Sequence, residues 1–430
     1  MTYHGCRSAE PPSAEEKAQI EQLRERLNKV VKGGIPKDLD TDLNLVRWIR
    51  GYQGDLDRIE HNFPSYVSSR IAAGFGDSDL PEKFFDMDHI SPFLPFIASS
   101  RLFDSQWSDE HNAFLFVERA WGQPKEFIKT FKTSDYLVHC FGYSEMLLRL
   151  ILERERQQKA GKGPVQFIVI FDLATVNMTD YVNPMSGYMK LWQLRSELWQ
   201  DWFPEMVQRI FLVNPPRLIS VLWKVARLFL SEQNLKRIEI IGGKEDLPKH
   251  LPKWFVPKEY GGEFIAKMPH GDESGVSLRK KITSADHYQV HQHYKKFGIV
   301  RPSANRKDVA PGEIFVVPIT VAEGRNLLWD FTVSGEVDFS IHKNKDPQEL
   351  AYPRLRLVTN KLNEEGMLQK LEDGEYSLCF HNRSGYFTVK VEYVIHEKYQ
   401  GSSGAISGQP DYFERISKQI ASKLKNHYWA

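Results

Sequence analysis

The residues able to do covalent or metal chemistry are spread along this sequence rather than gathered. Three cysteines, Cys6, Cys140 and Cys379, stand far apart. Their spacing matches neither a metal-binding pair nor a disulfide framework, and it fits a reducing compartment. The run His287-Tyr288-Gln289-Val290-His291-Gln292-His293 would gather imidazoles along one face of a strand. No cysteine or acid stands beside it at ligand spacing, so a polar strand or linker is the simpler reading. Gly242-Gly243-Lys244 resembles a phosphate loop only superficially, since it lacks the upstream glycine. Asp172 closes an apolar run, a place where catalytic acids sit in α/β folds, although a helix-capping or structural role is the simpler reading. No G-x-S-x-G, G-x4-G-K-[ST], H-E-x-x-H or G-x-G-x-x-G occurs. The expectation is therefore a chain with no catalytic residue and no metal site, and not an enzyme.

The bulk composition bounds the alternatives. A length of 430 residues suggests two or three domains. Lys and Arg number 57 against 56 Asp and Glu, a formal net charge of +1, which disfavours a nucleic-acid binder working through a broadly basic surface. The 26 Phe, 17 Tyr and 10 Trp are enough to build a large core and still line an internal cavity. The beginning, MTYHGCRSAEPPSAEEK, has no apolar stretch of the secretory type. Uninterrupted apolar runs such as 167–171 stop at about five residues, where a spanning helix needs about 20. A soluble, cytoplasmic protein is expected, and the Asn-x-Ser/Thr triplets at Asn177 and Asn382 are read as chance.

Elements that would position a site follow from periodicity. Ser13 and Glu16 have capping-box spacing, and Ile20, Leu23, Leu27 and Val30 follow at helical spacing up to Gly33-Gly34. Short helices are predicted over 42–50 and around Leu56, Ile59 and Phe63. From residue 113 the pattern alternates. Strands are predicted over 113–118, 165–172, 209–214 and 237–241, with helices over 134–158, 189–200 and 218–230 between them. Parallel strands need such crossovers, so this region reads as a largely parallel sheet. Residues 267–275 read as a linker. Beyond them the period is two. Leu327, Trp329, Phe331 and Val333 form one set, Val337, Phe339 and Ile341 another, and Tyr376, Leu378 and Phe380 a third. Phe387, Val389, Val391, Tyr393 and Ile395 form the clearest. Half-buried strands at this spacing predict an antiparallel β-sandwich. Residues 400–409 read as a mobile Gly/Ser-rich segment and 412–424 as a terminal amphipathic helix.

Four segments, in order, resemble the CRAL-TRIO lipid-binding family, which includes phosphatidylinositol-transfer-like proteins. They are LVRWIRGYQGDL (45–56), FIVIFDL (167–173), the long stretch 202–242 and LPKWFVPKEYGGEF (251–264). The stretches LLWDFTVSGEVDFSI (327–341) and DGEYSLCFHNRSGYFTVKVEYVI (373–395) resemble a GOLD domain. The fold class expected is thus an α/β CRAL-TRIO domain with an N-terminal helical region, followed by an all-β GOLD-type sandwich. The expected division is a tail and helix over 1–35, the lipid-binding region over 36–265, the sandwich over 275–397 and a C-terminal tail over 398–430.

The resemblance implies a sheet forming the floor of an apolar pocket and a mobile helix gating its mouth. The gate falls on 216–230, where Leu218, Ile219, Leu222, Val225 and Phe229 are apolar at helical spacing. A helix apolar over much of its circumference is also what a plainly buried helix looks like. In the phosphatidylinositol-binding branch a Glu, a polar residue and a basic residue select the headgroup, and here they match Glu205, Asn234 and Arg237. Glu205 and Arg237 equally suit a structural ion pair. The branch's basic pair after its N-terminal helix is replaced by Tyr52-Gln53, which weakens the implied preference for an anionic headgroup. No cofactor is expected beyond a bound lipid or other hydrophobic ligand. The partners implied are a phospholipid or hydrophobic small molecule, a transient membrane surface and a protein at the GOLD-like domain, with no nucleic acid. Arg279, Lys280, Lys281, Lys295 and Lys296 suit a solvated surface or weak attraction to anionic membranes. The function implied is lipid binding and transfer, cytoplasmic and at times peripheral at intracellular membranes. The alternative is a lipid-sensing signalling or trafficking adaptor.

Overall fold

The structure is a computed structural model and describes residues 9–97, 106–181, 183, 186–217, 219–227, 230–265, 279–399, 402–403, 417–418 and 420–425. Its contacts divide the chain into two compact units. The first comprises Met1–Glu60, Asp79–Phe127 and His139–Thr283, and the second His61–Ser78, Ile128–Val138 and Ser284–Ala430.

Three helices come first: α1 (Ala14–Val30), α2 (Asp42–Gly51) and α3 (Leu56–Ala72). The Ser13 hydroxyl accepts from the Glu16 N–H while the Glu16 carboxylate accepts from the Ser13 N–H, so the expected capping box is present. A short α4 (Leu80–Lys83) leads to a five-stranded sheet of β1 (Trp107–Ser108), β2 (Ala113–Arg119), β3 (Gln166–Asp172), β4 (Val207–Val213) and β5 (Ile238–Ile240). The strands lie in sequence order, β1 antiparallel to β2 and the rest parallel. The crossovers are α5 (Pro124–Thr130) with α6 (Thr133–Gln157), then α7 (Met178–Tyr181) with α8 (Gly187–Trp202), then α9 (Ile219–Ala226) with α10 (Glu232–Leu235).

Strand side chains alternate between the two sheet faces. On one face Leu115, Val117, Ile168, Ile170, Phe211 and Val213 are sealed by Leu247, Leu251, Phe255, Val256 and Tyr260. The Tyr260 hydroxyl donates to Asp172 Oδ2 over 3.0 Å, and Asn214 Nδ2 donates to Asp172 Oδ1 over 2.8 Å. Asp172 therefore ties the closing segment to the ends of β3 and β4. Gly261 takes a left-handed φ of 83°, and a Cβ on Gly262 would stand 1.9 Å from the Val256 carbonyl oxygen. The two glycines are needed for conformation and for close approach respectively.

The strands of the second unit pair only in antiparallel fashion and follow α11 (Gln292–Lys296). Its strands are β6 (Asn305–Val309), β7 (Ile314–Val321), β8 (Asn326–Val333), β9 (Val337–Lys343), β10 (Leu350–Leu357), β11 (Glu364–Leu368), β12 (Gly374–His381), β13 (Val389–Tyr399) and β14 (Ser402–Ser403). One sheet has the order β10-β9-β12-β7. The other has β11-β8-β13, with β6 and β14 both on β13. Phe331 of one sheet meets Phe339 and Phe380 of the other at 4.8 and 5.0 Å between ring centroids, which makes the sandwich core.

Three expectations need correction. The strands β8, β9 and β12 are buried along both faces rather than one, because other segments of the unit cover the outer faces. Ile420 and Leu424 pack on Ile314, Val316 and Cys379, and Arg301 pairs with Asp330. The histidine run is not a strand: His291 has a left-handed φ of 62° and opens α11, so the three imidazoles do not line one face. Instead the Tyr288 hydroxyl and the His291 N–H both donate to Glu365. Finally, Phe387 is no inward strand residue. β13 begins at Val389, and Phe387 is 74% exposed. The linker at 267–275 lies outside the described residues. So does the Gly/Ser-rich segment apart from β14. Residues 417–418 and 420–425 are helical.

A buried carboxyl in this unit carries a pH signature. Glu364 is buried and accepts from the Ser134 N–H over 3.1 Å. Burial pushes its carboxyl up to about 7, opposed by the nearby Lys132 and reinforced by Asp135. A carboxyl whose folded pKa exceeds its unfolded value of 4.5 stabilises the fold fully below that value. The contribution is lost as pH rises through about 7. Glu364→Gln keeps the neutral form at every pH. Its stability relative to the parent should improve on the order of 2–3 kcal/mol between about pH 4.5 and pH 8. Urea titrations across that range check this, and a difference independent of pH would refute it.

Candidate functional site

The opposite face of the parallel sheet is apolar and unevenly covered. It carries Phe114, Phe116 and Glu118 from β2, and Phe167, Val169 and Phe171 from β3. In register beside them come Ile210 and Leu212 from β4, then Ile238 and Ile240 from β5. Phe114, Phe116, Phe167 and Val169 are buried. Phe171, Ile210, Leu212 and Ile238 are half-buried, and Ile240 is 41% exposed. Helix α6 covers the β2 side, with Tyr143 edge-on to Phe116 at 5.8 Å. Helix α8 reaches β3, with Trp192 edge-on to Phe171 at 5.5 Å. Over β4 and β5 the strand side chains on this face are only half-buried or exposed. A parallel sheet ordinarily has both faces covered, so an incompletely covered apolar strip is a surface suited to apolar matter other than the protein's own core.

A charged pair closes the β2 side of this face. The Arg195 guanidinium of α8 donates from both terminal nitrogens to Glu118, at 2.6 Å each. This pair was missed in the sequence, although a signal was present. Glu118 shares strand parity with Phe114 and Phe116, and a carboxylate on a buried apolar face requires a cation.

The headgroup candidates sit at the other ends of β4 and β5. Arg237 donates to both carboxylate oxygens of Glu205 at 2.6 Å, and both side chains are only 4% exposed. Gln233 Nε2 adds a third bond to Glu205 at 2.8 Å, and Arg237 also donates to the Val207 carbonyl at 3.0 Å. Asn234 is turned to Gln200, at 3.4 Å. The structure thus brings Glu205 and Arg237 together as a clasp across the two strand starts, with Asn234 beside it. Glu205 has a left-handed φ of 60°. Pro204 before it packs so closely on α2 that a Cβ at Gly51 would lie 2.3 Å from the proline ring. Tyr52 is buried and donates to the Asp201 carbonyl at 2.7 Å. The position that is basic in the resembling branch here serves packing.

The gate segment is in part helical. Among the described residues the helix is α9, Ile219–Ala226, shorter than the expected 218–230. It contains Ile219, which is half-buried, together with Leu222 and Val225. Leu218 and Phe229 lie outside the described residues. Among the described residues no helix is long and apolar enough to cross a membrane, and no group of three or more His, Cys, Asp or Glu could hold a metal ion.

Comparison with known proteins adds an independent line. The CRAL/TRIO domain profile matches residues 123–262. A CRAL-TRIO domain-containing protein of Caenorhabditis elegans is 65% identical over 390 residues, spanning 90% of this chain and 98% of that protein. A second CRAL-TRIO domain-containing protein of that organism is 24% identical over 260 residues, 57% of each chain. The "Protein real-time" of Aedes aegypti is 22% identical over 211 residues, 47% of this chain and 32% of that protein. Among solved structures, the crystal structure of Sfh5 aligns with a TM-score of 0.43 at 14% identity, over 58% of this chain and 88% of that one.

Proposed function

Because the chain belongs to the CRAL-TRIO family, whose members bind lipids or small hydrophobic ligands, we propose that it holds a phospholipid or other hydrophobic molecule in a gated apolar pocket and exchanges it at membranes. The observation that carries the reading is the strip Phe171, Ile210, Leu212, Ile238 and Ile240, apolar and only half-buried or exposed, on the sheet face that runs from β3 to β5. Exposing a long acyl chain to water costs on the order of 10 kcal/mol at about 0.8 kcal/mol per CH₂. A pocket that receives the chain directly from the bilayer avoids most of that cost. The equilibrium term is then small while the desorption barrier falls. No bond is made or broken.

In this reading the ligand is the only cofactor-like group, and the chain works in the cytoplasm with transient contact to intracellular membranes. Arg237 and Asn234 would select a headgroup only where a phosphate displaces the Glu205 carboxylate. With the clasp closed, selection rests on the apolar floor and admits a wider class than phosphoinositides. The sandwich of the second unit suits a GOLD-type domain, given its two antiparallel sheets closing on Phe331, Phe339 and Phe380.

Native mass spectrometry of the chain after incubation with mixed-lipid vesicles tests the proposal. A one-to-one complex is expected, and extraction then identifies the bound molecule. A chain that stays empty across phospholipids, sterols and other hydrophobic ligands overturns the reading.

A further inference from the structure

The turn between β12 and β13 holds two aromatic rings out in water. Tyr386 is 89% exposed and Phe387 74% exposed. Their exposure is built in rather than incidental. Asn382, buried, donates from Nδ2 to the carbonyls of Val309, Ala310 and Phe387, at 2.9, 3.2 and 2.7 Å. Its Oδ1 accepts from the Ser384 N–H at 3.0 Å. The Ser384 hydroxyl then accepts from the N–H groups of both Tyr386 and Phe387, at 3.2 and 2.9 Å. Side-chain bonds of this kind fix a turn in one conformation. A fixed turn that presents two adjacent rings forgoes their burial, so the exposed pair marks a contact surface.

The chemistry of that surface identifies the partner. Arg383 and Lys390, both exposed, flank the rings along the chain. Of the neighbouring acids, Glu313 is engaged by Lys307 at 3.0 Å, and Asp338 is shared by Arg354 at 2.7 Å, Arg356 at 3.4 Å and Arg383 itself at 3.7 Å, three cations to one carboxylate. Glu336 lies on the adjacent β8–β9 turn and Asp308 stands opposite Lys390 on β6, so the surplus of positive charge at this tip comes from the arginines gathered on Asp338, Arg383 among them, with Lys390 beside the rings. A hairpin tip offers two rings at a point and not a broad complementary face, which is too little for a protein hot spot ringed by excluded water. It suits a bilayer, which takes in aromatic rings at headgroup depth while cations beside them meet anionic phosphates.

We infer that the β12–β13 turn is a membrane-docking loop, with Tyr386 and Phe387 entering the interfacial layer of an anionic bilayer and Arg383 and Lys390 binding its headgroups. The inference goes beyond the lipid pocket, since it concerns a surface of the second unit that ligand loading does not report.

The test is flotation of the full chain with phosphatidylcholine vesicles, with and without about 30% phosphatidylserine. The parent should float with the anionic vesicles. The Tyr386→Ser, Phe387→Ser double variant should lose at least about fivefold in bound fraction at unchanged thermal stability. Lys390→Glu should lose binding to the anionic vesicles alone. Ligand loading of the double variant, read by native mass spectrometry, should stay at the parent's level, so an empty pocket and a failed docking loop give different results. A parent that does not float, or a double variant that floats as the parent does, overturns the inference. Self-association of the parent in sedimentation velocity, lost in the double variant with flotation unchanged, would assign the rings to a second copy and also overturn it.

Discussion

Replacing Arg237 with alanine is expected to lower the free energy of unfolding by about 3–5 kcal/mol. The cause is the carboxylate left behind. Glu205 is 4% exposed and takes both of its strongest bonds from Arg237 at 2.6 Å. With the guanidinium gone, Gln233 alone among the named partners still donates to it, and a neutral amide cannot compensate a buried charge. The paired variant Glu205→Leu with Arg237→Met should recover most of the loss, because it removes both charges and keeps apolar volume. Urea unfolding of the three chains measures both effects. A loss under about 1 kcal/mol for Arg237→Ala would mean that the pair behaves as a solvent-exposed one. The same series bears on the headgroup assignment. If Arg237 selects phosphatidylinositol, the paired variant should bind phosphatidylcholine as the parent does and lose its preference for the inositol lipid. If it is a clasp alone, the paired variant keeps the parent's ligand profile.

Leu222→Asp combined with Phe229→Asp is expected to slow lipid exchange between vesicles by at least about 100-fold while the protein stays folded. Each of these side chains contributes about 1.5–3 kcal/mol when transferred from water to an apolar surrounding. Losing both would remove about 3–6 kcal/mol from the proposed membrane-engaged open state, which is a hundredfold or more in its population. Two carboxylates added at the gate also oppose an anionic bilayer. Transfer of a fluorescent phospholipid between donor and acceptor vesicles reads the rate, and circular dichroism with thermal melting reads the fold. A folded double variant that exchanges lipid at the parent's rate removes the gate from this segment. It would leave the floor formed by β4 and β5 untouched, since loading at equilibrium is a separate measurement.

Much of the fold was legible in the residues because the signals are local. Ser13 and Glu16 announce the start of α1 through bonds made within one turn. The apolar runs of β2, β3 and β4 and the helices between them follow from periodicity alone, and parallel pairing follows from the crossovers. The alternating runs of the second unit specify strands in the same way. Covering is another matter. Parity says that Phe387 would share a face with Val389 if the strand reached it, but Asn382 and Ser384 hold a turn there instead. Parity likewise says nothing about which outer faces of the sandwich will be roofed by the chain's own end, as Ile420 and Leu424 do over Cys379.

The candidate site divides along the same line. Residue types and order were sufficient to mark 216–230 as an apolar segment and to show no recognised catalytic motif, while Glu205, Asn234 and Arg237 were nominated by the family resemblance. The tertiary structure alone decided that Glu205 and Arg237, 32 residues apart, engage each other, and that Glu118 and Arg195, 77 residues apart, do so as well. It also decided that the sheet face is sealed over β2 and left open toward β5. The reason is physical. Backbone periodicity is set by bonds between near neighbours and can be read along the chain, whereas charge pairing and the cover of a face depend on which distant elements arrive there, and only packing fixes that.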